Sequence, residues 1–167
     1  MNLSELKKEI NQVDENDLLM LHSIVTSSDQ VVILGNGGSN SIASHTAQDY
    51  TKQLKVLSFT FSDPSRLTCY INDYGIEKAY VQFLSEFIST EKTLVILISS
   101  SGESDNILNS AEYCLNNDIP YIVLSGFKKN NQLKSDYGKS AKLNFWVNSE
   151  DYGIVEIVHQ IILHAIL

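Results

Sequence analysis

The sequence predicts a three-layer α/β/α sandwich on a five-stranded parallel sheet, from three observations. Five short apolar runs, Val31–Leu34, Val56–Phe61, Leu94–Ile98, Tyr121–Leu124 and Leu143–Val147, have the length and the Val, Ile and Phe content of strands buried on both faces. Segments of helical length separate them, so the connections are right-handed crossovers and the sheet is parallel. The 167 residues are 43% hydrophobic and 19% charged, with two prolines and no repeat or Ser/Gly-rich linker, which predicts one core and one domain over 1–167.

Residues 1–28 read as a helical lead-in. Leu3, Leu6, Ile10 and Val13 recur at helical spacing, and Leu18, Leu21 and Val25 resume it after the acidic patch Asp14–Asp17, so 3–27 is one broken helix or two. The first strand leads into a helix over 39–53. After the second strand comes a helix at 75–89, after the third one at 104–117, after the fourth a shorter one near 129–137, and after the fifth the terminal segment 154–167.

Twenty acidic against twelve basic residues give a net charge of −8, the wrong sign for neutralising nucleic-acid phosphates, so an anionic ligand has to be held locally. Cys69 and Cys114 form no C-x-x-C pair, which fits a reducing cytoplasm rather than a disulfide or zinc-ribbon scaffold. No apolar run has the length of a membrane span, and the opening Met1-Asn2-Leu3-Ser4-Glu5 lacks the order of a signal peptide. The expectation is a soluble cytoplasmic protein with neither nucleic acid nor membrane as partner.

In an open parallel sheet the ligand crevice lies beyond the carboxyl ends of the strands. The first strand runs into Gly35-Asn36-Gly37-Gly38-Ser39-Asn40-Ser41, where glycines permit close backbone approach and the next helix offers unpaired N–H groups to an anion. Asn40 stands where a dinucleotide fingerprint has its third glycine, which argues against NAD. The third strand runs into Ser99-Ser100-Ser101-Gly102-Glu103-Ser104. Four hydroxyls beside a glycine and a helix start make a compact phosphate cradle; helix capping alone would account for one of them.

The terminal segment 154–167 has ten apolar residues of fourteen, and its polar ones are Glu156, His159, Gln160 and His164. At about 100° per residue these four fall within an arc of roughly 140°, one stripe on a helix that must be covered on most sides. Buried Glu and His are costly unless paired, metal-bound or used for proton chemistry; the plainer alternative is a hydrogen-bonded core histidine or a polar groove. His45 and Asp49, at i, i+4 spacing, share a helix face. His22 is assigned to packing or surface.

Taken in order, Gly35-Asn36-Gly37-Gly38-Ser39, His45, Asn72-Asp73-Tyr74-Gly75, Ser99 to Ser104, Glu156 and His164 resemble the sugar isomerase (SIS) domain proteins. Within them the likeness is to the phosphoheptose isomerases, which convert sedoheptulose 7-phosphate to glycero-manno-heptose 7-phosphate for lipopolysaccharide or capsule. The resemblance implies a flavodoxin-like sheet and a homotetramer with active sites at subunit interfaces. It implies that Asn36, Gly37, Gly38 and Ser39 form the first substrate loop, that Asn72 and Asp73 serve the sugar end, and that Ser99, Ser100, Ser101 and Ser104 hold the phosphate. It places a divalent metal, zinc, at His45, Asp49, Glu156 and His164, with Asp49 as base and His164 as acid, and Asp49 and Glu156 also touching substrate. The chain departs from the family in having Asp49 for Glu, Glu156 for Gln, and Gln53 with Lys52 where an Arg is expected.

Aldose–ketose interconversion moves a proton between adjacent carbons through an enediol; a carboxylate and a histidine suffice. Two other readings stand beside it: an isomerase of another sugar phosphate, and a sugar-phosphate-binding module without turnover.

Overall fold

All five apolar runs form strands, each within one residue of its expected bounds: β1 Gln30–Gly35, β2 Leu57–Thr60, β3 Thr93–Ser99, β4 Tyr121–Ser125 and β5 Leu143–Trp146. The computed structural model describes residues 2–88 and 92–167; residue 1 of the lead-in and residue 89, the end of the expected 75–89 helix, lie outside them. Every strand pair is parallel, and the order is β2-β1-β3-β4-β5, the flavodoxin-like arrangement.

Because side chains alternate along a strand, β1 and β3 feed two cores. Val31, Ile33, Leu94 and Ile96 face one layer, and Val32, Leu34, Val95 and Leu97 face the other. The first layer holds α1 Leu3–Ile10, α2 Glu15–Thr26, α3 Gly37–Asp49 and α7 Tyr152–His164; the second holds α4 Pro64–Tyr74, α5 Ile76–Phe87 and α6 Asp105–Asn116. β1, β3 and β4 are buried on both faces as expected. β2 and β5 are the sheet edges, where Leu57 and Asn144 are exposed, so for them the two-face expectation is corrected.

The lead-in is two helices. Asp14 ends the break by accepting from the Asn16 N–H at 2.8 Å. Glu9, buried, accepts from the Asn148 N–H at 3.0 Å, and Glu5 accepts from the Ser149 hydroxyl at 2.6 Å, so α1 is tied to the connection that leads into α7.

α4 lies in a stretch that periodicity left unassigned, because none of its residues is buried. Asp63 caps its start by accepting from the Arg66 N–H at 2.9 Å, with Pro64 in the first turn. The expected helix over 39–53 is α3 followed by a π-helical turn, Tyr50–Leu54, and that near 129–137 shortens to a π-helical turn, Leu133–Tyr137. Among the described residues, no helix is long and apolar enough to cross a membrane.

Candidate active site

β1 and β3 are neighbours whose following helices cover opposite faces of the sheet, and Gly35 pairs with Ile98 at their carboxyl ends. That is the topological switch point of the sheet, where both singled-out loops meet. Asn36 and Asn106 lock them together: the Asn36 amide donates to the Asn106 oxygen at 2.8 Å, and the Asn106 amide donates back at 2.9 Å. The Tyr80 hydroxyl donates to the Gly35 carbonyl at 2.8 Å from behind. Neither Asn106 nor Tyr80 was singled out as a site residue; no periodicity marks a residue that supports a loop from another layer.

The serine loop is held by its own side chains. Ser99 Oγ accepts from the Gly102 N–H at 3.1 Å and donates to Ser104 Oγ at 3.2 Å, and Ser101 Oγ accepts from the Glu103 N–H at 3.2 Å. Gly102 has φ +67°, and a Cβ there would strike the buried Asn131 side chain, so this position needs glycine twice over. Ser100 Oγ is different: it is buried with no hydrogen-bond partner among the described residues. An orphaned hydroxyl costs about 1–3 kcal/mol, which a ligand oxygen recovers.

These hydroxyls line a cavity of about 110 Å³ together with Asn36, Ser39, Tyr152 and Glu156. Complete ligand pockets run to roughly 300–1,000 Å³, so this one has room for no more than one end of a ligand. The Glu156 carboxylate lies against Gly38, so closely that a Cβ on residue 38 would collide with both of its oxygens.

A second group stands at the far ends of α3 and α7. Asp49 Oδ2 is 3.2 Å from His164 Nε2 and 3.4 Å from His45 Nε2, and the two imidazole rings meet edge to face at 4.9 Å between centroids. The Tyr50 hydroxyl, buried at the first residue of the π-helical turn, donates to the Leu163 carbonyl at 2.9 Å and so joins the two helix ends. Burial raises the Tyr50 phenol well above its ordinary pKa and keeps it a donor. The donor atoms of His45, Asp49 and His164 all lie within 4.8 Å of one another. Ligands of a tetrahedral ion at 2.0–2.1 Å stand about 3.3 Å apart, so two imidazoles and a carboxylate at these spacings could hold a divalent metal and leave a position open.

Not every expected residue joins these two groups. Glu156 stands outside the His45–Asp49–His164 group and belongs to the serine cavity instead. Asn72 and Asp73 are exposed near the end of α4, with Asn72 donating to Asp73 at 2.9 Å, and they do not line the cavity. His159 is wholly buried: its Nε2–H donates to the Ser125 carbonyl at 3.1 Å, and burial pushes its pKa down to about 4, so it is a neutral core histidine. His22 is exposed.

No family model matches the chain. The fold superposes on the phosphoheptose isomerase of Neisseria gonorrhoeae with a TM-score of 0.85 over 96% of this chain and 89% of that one, at 20% identity, a likeness of fold. Among curated proteins, a phosphoheptose isomerase of Helicobacter pylori is 28% identical over 96% of this chain and 85% of its own length. A phosphoheptose isomerase of Fusobacterium nucleatum is 32% identical over 98% of this chain and 81% of its own length. At that identity and coverage, the chain belongs to the phosphoheptose isomerase family.

Proposed function

We propose that this single-domain chain interconverts sedoheptulose 7-phosphate and glycero-manno-heptose 7-phosphate. One observation carries the reading: α3 and α7 run side by side in the same direction, with Gly38 and Glu156 together at the serine cavity and Asp49 and His164 together at the other end. At 1.5 Å per residue, Glu156 and His164 are about 12 Å apart along α7, and Ser39 and Asp49 about 15 Å along α3. An extended seven-carbon phosphate spans roughly 10 Å at about 1.2 Å per bond, which, with side-chain reach, fits a phosphate among the serines and a carbonyl carbon at the imidazoles.

In that pose Ser100 and Ser104 bind the phosphate, while Ser99 and Ser101 hold the loop. Asp49 takes the proton from the carbon beside the carbonyl, the C–H electrons form the enediol double bond, and the proton returns to the neighbouring carbon. His164 moves the proton between the two oxygens. Zinc at His45, Asp49 and His164 would supply polarisation of the carbonyl oxygen when bound. The named relatives favour turnover over mere binding.

The small cavity and the exposed positions of Asn72 and Asp73 support an oligomer whose neighbouring copies complete the sugar end. Leu19 and Met20 on α2 are exposed, apolar surface that a homotetramer would cover. The test is incubation with sedoheptulose 7-phosphate in deuterated water: deuterium entering the carbon next to the carbonyl supports the reading, and none, with heptose product absent, overturns it.

A further inference from the structure

Asn131, in the connection between β4 and β5, is wholly buried and stands outside both groups of the active site. Both of its amide protons are used: Nδ2 donates to the Gly126 carbonyl at 3.0 Å and to the Lys128 carbonyl at 2.8 Å. Its Oδ1 accepts from the Lys134 N–H at 3.0 Å. The two carbonyls flank Phe127, whose φ of +53° is a left-handed conformation that bulky side chains rarely adopt. Strain of this kind persists only where the surroundings over-determine it, and it gathers at ligand sites. The Phe127 ring meets the Tyr152 ring edge to face at 4.7 Å between centroids, and Tyr152 is a wall of the serine cavity.

The same side chain abuts the serine loop, filling the space that a Cβ on Gly102 would need. Just beyond it the Leu133 N–H donates to the Gly102 carbonyl at 3.0 Å, and the Gln132 N–H donates to Glu103 Oε1 at 3.1 Å. Gly126, whose carbonyl Asn131 holds, packs so near the serine loop that a Cβ on it would come within 3.1 Å of the Ser100 carbonyl oxygen. Ser100 and Gly102 are thus gripped from the β4 side by one strut, while Asn36 and Asn106 fasten the loops on the β1 side. Among the described residues, no lysine or arginine lines the cavity. Directed hydrogen bonds therefore have to hold a phosphate there, and these weaken steeply when donor and acceptor are misaligned.

We infer that Asn131 is a positioning residue of the phosphate end: it sets Ser100 and Gly102 directly and, through Phe127, sets Tyr152 as the facing wall. It deepens the isomerase reading, and it rests on that reading only for the identity of the natural ligand.

The experiment is calorimetric titration of the full chain, Asn131→Ala, Gly102→Ala and the double variant with propyl phosphate. Asn131→Ala is expected to weaken binding at least about tenfold, as misplacement of a binding group does, with KM for sedoheptulose 7-phosphate raised and kcat little changed. Gly102→Ala is expected to weaken binding as well, but by much less in the Asn131→Ala background, where the new methyl has room. The cost of alanine at a positive φ is common to both backgrounds and cancels in the cycle. Asn131→Ser, which keeps one donor, is expected to fall between and carries the same test if Asn131→Ala does not fold. A purely structural role would lower stability and binding stoichiometry but leave the dissociation constant alone. An unchanged constant in Asn131→Ala or Asn131→Ser, or additive effects in the double variant, therefore overturns the inference. Failure of propyl phosphate to bind the unsubstituted chain also overturns it, whether or not sedoheptulose 7-phosphate is turned over. Weakened binding in the variants, without deuterium incorporation by the unsubstituted chain, would instead sink the isomerase reading and leave the role of Asn131 standing.

Discussion

Asn36 and Asn106 donate to each other's side-chain oxygens at 2.8 and 2.9 Å, across 70 residues of sequence, and so fasten the loop after β1 to the helix that follows the serine loop. Asn106 is buried, so its partner cannot be replaced by water without cost. Asn106→Ala should lower unfolding free energy in urea by about 1–3 kcal/mol, the usual range for leaving a buried polar group unpaired. It should also raise KM for the sugar phosphate more than it lowers kcat, because it loosens the cradle rather than the proton-transfer groups. A variant with normal stability and normal KM would show that the two loops are held by other means.

Within the serine loop the hydroxyls do different jobs. Ser99 and Ser101 accept from the loop's own N–H groups, whereas Ser100 Oγ has no partner among the described residues and Ser104, at the N-cap of α6, makes no side-chain capping bond and accepts only from Ser99 Oγ. Ser100→Ala with Ser104→Ala should therefore weaken sugar-phosphate binding at least tenfold, at about 1.5–3 kcal/mol per charged hydrogen bond, and leave stability nearly unchanged. Ser99→Ala should act through stability first. If calorimetry finds the double variant unimpaired, the phosphate sits elsewhere.

The strands and most helices were legible because burial writes itself into sequence: β1, β3 and β4 are uninterrupted apolar runs since both their faces are covered. The same logic hid α4, whose residues are all at least partly exposed. The two loops that meet at the switch point were singled out from glycine and serine placed after strands. What could not be read was the division of Glu156 from His45, Asp49 and His164, because a stripe on one helix does not say which end of the neighbouring helix each member meets. His159 falls in the same stripe yet turns under β4, since an arc of roughly 140° at about 100° per residue spans both a groove and a core face.

His159 also makes stability depend on pH. Its folded pKa of about 4 lies below the ordinary value of 6.5, so between those limits the unfolded chain binds more protons and stability rises with pH. The contribution is complete above about pH 6.5 and is lost as pH falls toward 4, by up to about 3 kcal/mol from this group. Urea unfolding at pH 7.5, 6.0 and 5.0 should show this slope in the unsubstituted chain and a flatter one in His159→Gln. Parallel slopes would assign the acid sensitivity to other groups.

Asp49 is the one anionic donor among three at the α3–α7 junction. Asp49→Asn should weaken zinc or cobalt uptake by at least about a hundredfold, more than the roughly 10–100-fold typical of losing a supporting group, and cobalt absorption would report it without any turnover. Tyr50→Phe removes only the bond to the Leu163 carbonyl, so its effect on metal uptake should be smaller and accompanied by a stability loss of about 1 kcal/mol. Metal binding unaffected by Asp49→Asn would remove this group as the metal centre.

Gly38→Ala tests the placement of Glu156 without touching Glu156. The new methyl would overlap both carboxylate oxygens, and because these are the far end of a flexible side chain, Glu156 yields rather than the backbone. Residue 38 lies in the first turn of α3 without a positive φ, so alanine is compatible there and favours the helix by about 0.5–1 kcal/mol over glycine. The expected result is a melting temperature equal to or above that of the unsubstituted chain, with propyl phosphate, which as the dianion at about pH 8 has no proton to give a carboxylate, bound more tightly once Glu156 is displaced. Zinc uptake at the other end of the helix should be unchanged, since His45, Asp49 and His164 do not contact residue 38. If phosphate affinity stays fixed while the fold is intact, the carboxylate has no influence on the cavity and its contact with Gly38 is packing alone.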